Sequence, residues 1–312
     1  TDRRRVGDVT GAVAAVLVVN YGSHELVAEN LARTALPDGA LVVVVDNLTT
    51  SAEREAMRSL AADRRWHLVE PESNLGFGAG MNAAAAAASR QGAEVFVLLN
   101  PDAHVEGDGI AHLAAAVEED HDLMVAPLVL RPDGGHFSSE MELDLDRGSV
   151  RRVRDGARYA RSATWLSGAC LAVHCSLWER VGGFDDDYFL YWEDIDLSVR
   201  VAAAGGRLRV DPEVVAVHSA GGTQSPSDGD RAKSSVYYYY NVRNRLVFAA
   251  QHLDAATQRR WRRRSLPAAW SILLRGGRRQ FLHPSRTFLP AARGTLSGLA
   301  YMRAARRARS RP

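Results

Sequence analysis

The chain has 312 residues, of which 46% are hydrophobic and 24% charged, a balance that excludes an intrinsically disordered protein. No uncharged apolar run reaches the roughly eighteen residues of a membrane-spanning helix, and two cysteines, Cys170 and Cys175, are too few for a disulfide framework. The formal charge of +2 hides an asymmetry: residues 255–312 hold 15 arginines and no Lys, Asp or Glu, so the other 254 residues carry 24 basic and 37 acidic side chains.

The charged start, Thr1 to Thr10, has no apolar core, so no secretory leader is expected there. Ala12 to Asn20 is a β-branched apolar run closed by Tyr21-Gly22 and reads as a buried strand. Ser23 can cap a helix over Glu25 to Ala35, which Pro37-Asp38-Gly39 stops. Leu41 to Val45 is a second strand ending at Asp46-Asn47, Glu53 to Ala62 a helix, and Trp66 to Val69 a third strand. The glycine-rich turn Asn74 to Gly80 opens into an alanine-rich helix, Met81 to Gln91, and Val95 to Leu99 is a strand that stops at Asn100-Pro101-Asp102. Four alternations of this kind imply right-handed crossovers and a mostly parallel sheet, whose ligands bind beyond the carboxyl ends of the strands. Asn20-Tyr21, Asp46-Asn47 and Asn100 to Asp102 therefore fall on one edge.

Leu130 to Ala163 is irregular and charged and reads as a hairpin or loop over the site. Thr164 to Val173 follows as a strand, Ser176 to Val181 as a short helix, Glu193 to Ala204 as a helix, and Arg207 to Asp211 and Val214 to Val217 as strands. Gly221 to Asp230 has a loop or boundary composition. In the tail, arginines interleave with Trp261, Leu266, Trp270, Leu274, Phe281 and Phe288, a mixture that suits an anionic membrane surface better than nucleic acid; a solvated helical extension is the bland alternative.

Three segments carry candidate chemistry. An apolar strand ending in Asn100-Pro101-Asp102 puts a carboxylate where a Mg²⁺ or Mn²⁺ on a diphosphate needs an oxygen ligand, although capping of the next turn would also explain Asp102. Phe189 to Trp192 precede the acids Glu193, Asp194 and Asp196; the aromatic run offers a wall for a sugar and a carboxylate there can take a hydroxyl proton, against a plain helix-capping role. Asp196 would point away from Asp194 around the helix. His218 closes an apolar strand and could ligate a metal, though a lone His usually does not. The Asn74 to Gly80 loop spaces its glycines G-x-G-x-G and follows a loop, which argues against a nicotinamide cofactor.

In order, Val19-Asn20-Tyr21, Val45-Asp46-Asn47, Asn74-Leu75-Gly76-Phe77-Gly78, Asn100-Pro101-Asp102, Trp192-Glu193-Asp194 and His218 resemble the motifs of the family 2 inverting glycosyltransferases, above all their bacterial rhamnosyltransferase-like branch, over roughly Val13 to Phe248. The resemblance implies an α/β GT-A fold: a catalytic domain over residues 1–230, with its nucleotide-sugar half at about 12–128 and its acceptor half at about 129–230, and a helical, arginine-rich extension over 231–312. It implies that Asn20, Tyr21, Asp46, Asn47, Asn74, Gly76, Gly78, Asn82 and Asn100 bind a dTDP- or UDP-sugar, and that Trp165, Gly168, Tyr191 and Trp192 bind the acceptor. Asp102 and His218 would hold Mg²⁺ or Mn²⁺, and Asp194, with Glu193 next in line, would be the general base. Asn100 stands where the family's Asp-x-Asp element has its first acid, which weakens a direct metal role for it. The implied acceptor is a hydroxyl, in one version that of a lipid-linked saccharide; a natural-product aglycone is another. Nucleic acid is not expected as a partner, homo-oligomerisation is left open, and the expected location is cytoplasmic or peripheral on the membrane's inner face. A sugar nucleotidyltransferase and a non-catalytic carbohydrate- or nucleic-acid-binding protein are the competing readings.

Overall fold

A computed structural model describes residues 13–153, 158–219, 233–277 and 279–309, so the expectations for Thr1 to Thr10 and Gly221 to Asp230, and a boundary at 230/231, lie outside the described residues. The elements run β1 (Ala14–Asn20), α1 (His24–Ala32), β2 (Leu41–Asp46), α2 (Ser51–Arg64), β3 (His67–Val69), α3 (Phe77–Ser89), β4 (Val95–Leu99), β5 (Ala103–Val105), α4 (Gly109–Glu119), β6 (Leu123–Leu130), β7 (His136–Ser138), β8 (Met141–Asp144), β9 (Val150–Arg152), β10 (Ser162–Trp165), β11 (Cys170–His174), α5 (Cys175–Val181), α6 (Glu193–Ala203) and β12 (Arg207–His218). The arginine-rich end is helical: α7 (Ser235–His252), α8 (Ala255–Arg263), α9 (Ser265–Leu274) and α10 (Phe288–Arg309), with two short 3₁₀ turns before the last.

The main sheet has the order β3-β2-β1-β4-β11-β6-β12-β5, with β7 added beside β6. It is parallel across β3, β2, β1 and β4, as the alternation predicts. Beyond β4 it is mixed: β11 runs antiparallel to β4 and β6, whereas β12 is parallel to β6. Period-two alternation sends Val16 and Val18 of β1 to one face, against α1, α2 and α4, and Leu17 and Val19 to the other, against α3, α5 and α6. The buried strands need no polar face because both sides are covered.

Four sequence expectations need correction. The stretch Leu130 to Ala163 is not one loop: it supplies β7 and a second, three-stranded antiparallel sheet, β10-β8-β9, built from short charged strands with weak alternation. The strand placed at Thr164 to Val173 is two, β10 and β11, in different sheets. Arg207 to Asp211 and Val214 to Val217 are one strand, β12, carried past Pro212 by a register shift between Asp211 and Val215. Neither α4 nor β6 was anticipated. A third apolar cluster joins Leu143, Trp165, Trp192 and Ile195 to Val247 and Phe248 of α7, Trp261 of α8 and Met302 of α10. The helical end is thus packed on the body of the molecule, and it places a helix beside the site.

Candidate active site

The site begins at the carboxyl edge of β4. Antiparallel pairing of β12 with β5 sets His218 opposite Ala103, and the Ser219 N–H donates to the Asp102 carbonyl (2.9 Å). This register brings His218 Nε2 to 2.9 Å from Asp102 Oδ1, with both side chains buried. Asn100 lies on the same spot: its Nδ2 is 3.3 Å from His218 Nε2, while its Oδ1 is buried without a partner. A half-turn of that amide would exchange the two atoms and aim three electron-pair donors, two oxygens and a nitrogen, at one point. Octahedral ligands at about 2.1 Å from an ion lie about 3 Å apart, so the Asp102–His218 spacing suits a small divalent cation. His218 Nδ1 also lacks a partner, and Phe137 packs edge-on against the ring with centroids 4.5 Å apart. This oxygen-plus-imidazole set fits Mn²⁺ or Mg²⁺.

A short backbone path leads from this pair to the acids of α6. The Asn100 N–H donates to the Ala169 carbonyl (2.9 Å), and the Gly168 N–H donates to Asp194 Oδ2 (3.2 Å). Asp194 Oδ1 accepts from the Ile195 N–H (2.8 Å), and the Ser198 hydroxyl donates to the Asp194 carbonyl (2.7 Å). Burial pushes the Asp194 carboxyl up to about 6, partly opposed by the Gly168 and Ile195 donors. Glu193 is buried with Oε2 unpartnered; burial, and then the charge of Asp194, hold its carboxyl well above the usual carboxylate range. Asp194, poised near neutrality and fixed by two backbone donors, is the better placed of the two to serve as the base. Asp196 turns away, as its helical position predicts, into ion pairs with Arg200 (2.6 Å) and His252 (2.6 Å).

If Asp194 is the base, kcat/KM falls about tenfold per unit as pH drops below 6, because the raised pKa keeps the proton on the carboxyl to higher pH. The sign for stability follows: the folded protein prefers the neutral acid, so ionising Asp194 costs stability as pH rises through about 6. A pH–rate profile flat from 7 to 5 would remove Asp194 from that role.

The turn before α6 is strained. Tyr191 and Trp192 adopt φ of 66° and 77°, a left-handed conformation that bulky residues seldom hold. Asn244 of α7, fully buried, holds it by donating from Nδ2 to the carbonyls of Leu190 (3.0 Å) and Tyr191 (2.7 Å). Asn244→Leu leaves both carbonyls without that donor and is expected to cost about 1–3 kcal/mol of stability, read as a lower thermal midpoint. An unchanged midpoint would show that other contacts hold the turn.

The predicted donor-side residues gather on the same edge but divide in task. Asn20 Nδ2 donates to Asp46 Oδ1 (3.0 Å), and Arg54 Nε donates to Asp46 Oδ2 (3.0 Å), fixing that carboxylate beside the exposed Tyr21. Asn47 clamps the glycine-rich loop, donating to the Gly76 carbonyl (2.8 Å) and accepting from the Leu75 N–H (3.1 Å). Asn74 Oδ1 accepts from the Gly76 N–H (2.8 Å) within that loop. Gly76 has φ 83°, and a Cβ there would lie 2.2 Å from the Phe189 carbonyl oxygen, so only glycine fits against the aromatic run. Gly78 lies in the first turn of α3, where a Cβ would meet Phe184 at 2.9 Å. Asn82 exchanges hydrogen bonds with the backbone of Phe184, both at 2.9 Å, and so anchors the Phe184 segment.

A cavity of about 510 Å³ opens over Asp194, lined by Trp165, Tyr191, Trp192, Glu193 and Phe137, and continued by residues of β9, α7 and α9. It is the size of a small-molecule site. Gly168 stays at the wall holding Asp194. The resemblance implies a helix beginning with Tyr237 to Tyr240, Asn241, Arg243, Asn244 and Arg245 beside the acceptor site, but it gives no individual role to Asn244 or to the cavity-lining Arg245. Their partners at Leu190, Tyr191, Arg147 and Gly148 lie more than fifty residues away in the chain, which no local pattern reveals. The thiol of buried Cys170 is pushed up to about 12 by desolvation and both cysteines are free, so neither is a nucleophile candidate.

The structure sets a buried acid–imidazole pair at the edge of a half-parallel sheet and, joined to it by that backbone path, a raised carboxyl on the wall of a cavity, an arrangement of GT-A type. Residues 95–301 match the profile of the glycosyl transferase family group 2, and the chain belongs to that family. It is similar to the N-acetylglucosaminyl-diphospho-decaprenol L-rhamnosyltransferase of Mycobacterium tuberculosis, 30% identical over 190 residues that cover 53% of this chain and 61% of the relative. It is also similar to the dTDP-rhamnosyl transferase RfbF of Shigella flexneri, 24% identical, with 74% of this chain and 78% of the relative covered. Among solved structures, the mannosyltransferase PcManGT from Pyrobaculum calidifontis, in complex with GDP-Man and Mn²⁺, superposes with a TM-score of 0.55 at 21% identity, covering 94% of this chain and 85% of the other. The S. aureus TarS 1–349 structure superposes with a TM-score of 0.53 at 15% identity, covering 94% and 87%. These likenesses establish the fold. The chain spans about three fifths of the length of the Mycobacterium relative, and both relatives carry rhamnosyltransferase names.

Proposed function

We propose that this enzyme moves rhamnose or another hexose, with inversion, from a dTDP- or UDP-sugar to a hydroxyl of a lipid-linked saccharide. What supports the reading is the backbone link from Asp102 and His218, through Asn100, Ala169 and Gly168, to Asp194, by which a cation-binding pair and a base would act on one bound sugar. A divalent cation held by Asp102 and His218 would offset the charge growing on the leaving nucleoside diphosphate. Asp194 accepts the acceptor hydroxyl's proton as the new C–O bond forms and the bond to the diphosphate oxygen breaks on the opposite face. Burial and the charge of Asp194 disfavour a second negative charge on Glu193 beside it. The strained Tyr191-Trp192 turn and Trp165 wall off the acceptor side.

The relatives support the donor and acceptor classes: one is named for a dTDP-rhamnosyl donor and another for a diphospho-decaprenol acceptor. We assign residues 1–230 to catalysis and 231–312 to a helical extension that seats the enzyme on an anionic membrane surface. No described helix is long and apolar enough to cross a membrane. Incubation with dTDP-rhamnose, UDP-hexoses and Mn²⁺ should release nucleotide from one donor and raise the thermal midpoint with it. No release and no shift with any of them would reject the reading.

A further inference from the structure

The cavity that holds Asp194 is also lined by Arg245, Arg264 and Arg275. Arg245 is only 2% exposed and has no carboxylate partner among the described residues. Its guanidinium lies over the Trp261 ring, 4.4 Å from the centroid, and its N–H groups donate to the carbonyls of Arg147 (2.7 Å) and Gly148 (3.2 Å). Burial, and then the charge of Arg264, pull it down to about 10. Arg264 and Arg275 are exposed and make no ion pair among the described residues. Trp165, 9% exposed, adds a buried indole N–H without a partner.

Like charges gathered round a cavity with fewer acids than guanidinium groups disfavour the empty site and favour an anion in it. Asp194 and Glu193, whose charged form burial disfavours, are the acids on the wall, against Arg245, Arg264 and Arg275 and a fourth arginine, Arg147, that lies 4.0 Å from Asp144. A single carboxylate on a ligand would leave most of that charge unmatched. A diphosphate carries several charges and enough oxygens for the arginine forks and the indole N–H together.

The other face of α9 adds a second property. Leu266, Trp270 and Leu274, four residues apart and therefore on one side of the helix, are 73%, 50% and 50% exposed. Pro267, Ala268, Ser271 and Ile272 of the same helix line the cavity. One helix thus presents a charged pocket wall inward and an apolar stripe outward, which matches an amphiphile with an anionic head and an apolar chain.

We propose that Arg245, Arg264 and Arg275, with the Trp165 indole N–H, form a diphosphate subsite in the acceptor cavity, and that the apolar face of α9 takes the hydrocarbon chain attached to that diphosphate. This rests on reading Asp194 as the base at the acceptor side, and it adds which part of the acceptor is recognised and by which residues.

The test reads binding in EDTA without donor, so it does not depend on glycosyl transfer. Geranyl diphosphate, inorganic pyrophosphate and geraniol are each titrated into the full chain, with occupancy followed by the fluorescence of Trp165 and Trp192. The titrations are repeated on Arg264→Gln/Arg275→Gln, whose altered side chains are exposed. Geranyl diphosphate should bind the wild type at least tenfold more tightly than the variant and than geraniol. Pyrophosphate equal to geranyl diphosphate on the wild type, and weakened in the variant, supports the arginine site and overturns the chain-binding role of α9. Equal binding of geranyl diphosphate by both proteins, or geraniol binding as tightly as the diphosphate, overturns the proposal. A parallel titration of the wild type with dTDP and Mn²⁺ reports on the donor reading, so failure of one is told apart from failure of the other.

Discussion

Asp194→Asn is expected to cut turnover by about 10²–10⁴-fold while leaving nucleotide-sugar affinity within about twofold. The asymmetry follows from where the carboxylate sits. Its oxygens accept from Gly168 and Ile195 and so are fixed in place, and they make no hydrogen bond to Asn20 or Asp46, the predicted nucleotide contacts, among the described residues. An amide keeps the volume and one acceptor oxygen but takes no proton. Glu193 is a poor replacement, because burial and the adjoining acid disfavour its charged form. Single-turnover kinetics beside a donor titration separate chemistry from binding. Turnover close to wild type would move the base elsewhere.

The second large effect is expected at the other pole. Asp102→Ala, or His218→Ala, should lower Mn²⁺-supported turnover by at least about a hundredfold, since charge stabilisation on a leaving diphosphate is worth several kcal/mol. Chelation of the wild type should abolish activity, and added Mn²⁺ or Mg²⁺ should restore it. Both side chains are buried at 4–6% exposure and pair chiefly with each other, so removing one strands the other. The stranded partner could lower stability as well. The control is therefore the restored wild type, in which no side chain has changed. Full turnover in EDTA would remove Asp102 and His218 from the reaction.

Much of this edge was readable from local pattern. Apolar runs ending abruptly at Asn20, Asp46 and Asn100 place those residues together once the strands are taken as parallel, and registers such as Asn20 opposite Asp46 bear this out. Period 3.6 separated Asp194 from Asp196, and the structure puts Asp196 against Arg200 and His252. The pairing of β12 with β5 was not readable, because Pro212 imitates a strand end while the register shift carries the strand beyond it. Asn244 and Arg245 begin a helix that the resemblance sets beside the acceptor site, yet nothing in the sequence gives either one a partner. Their roles appear only when α7 packs against the turn at Tyr191 and the β8–β9 loop at Arg147, contacts spanning 53 and 98 residues of chain. Asn47 and Asn82 show the converse, since their motif positions suggest ligand contact while their amides brace the Gly76 loop and the Phe184 segment.

The measurement closest to the central claim is Mn²⁺ binding by chelator-treated protein in the presence of dTDP or UDP, followed by the paramagnetic enhancement of water-proton relaxation. One ion should bind wild type and Asp194→Asn alike, and affinity should fall at least tenfold in Asp102→Ala. Undiminished Mn²⁺ affinity in Asp102→Ala, or its loss in Asp194→Asn, would contradict the account.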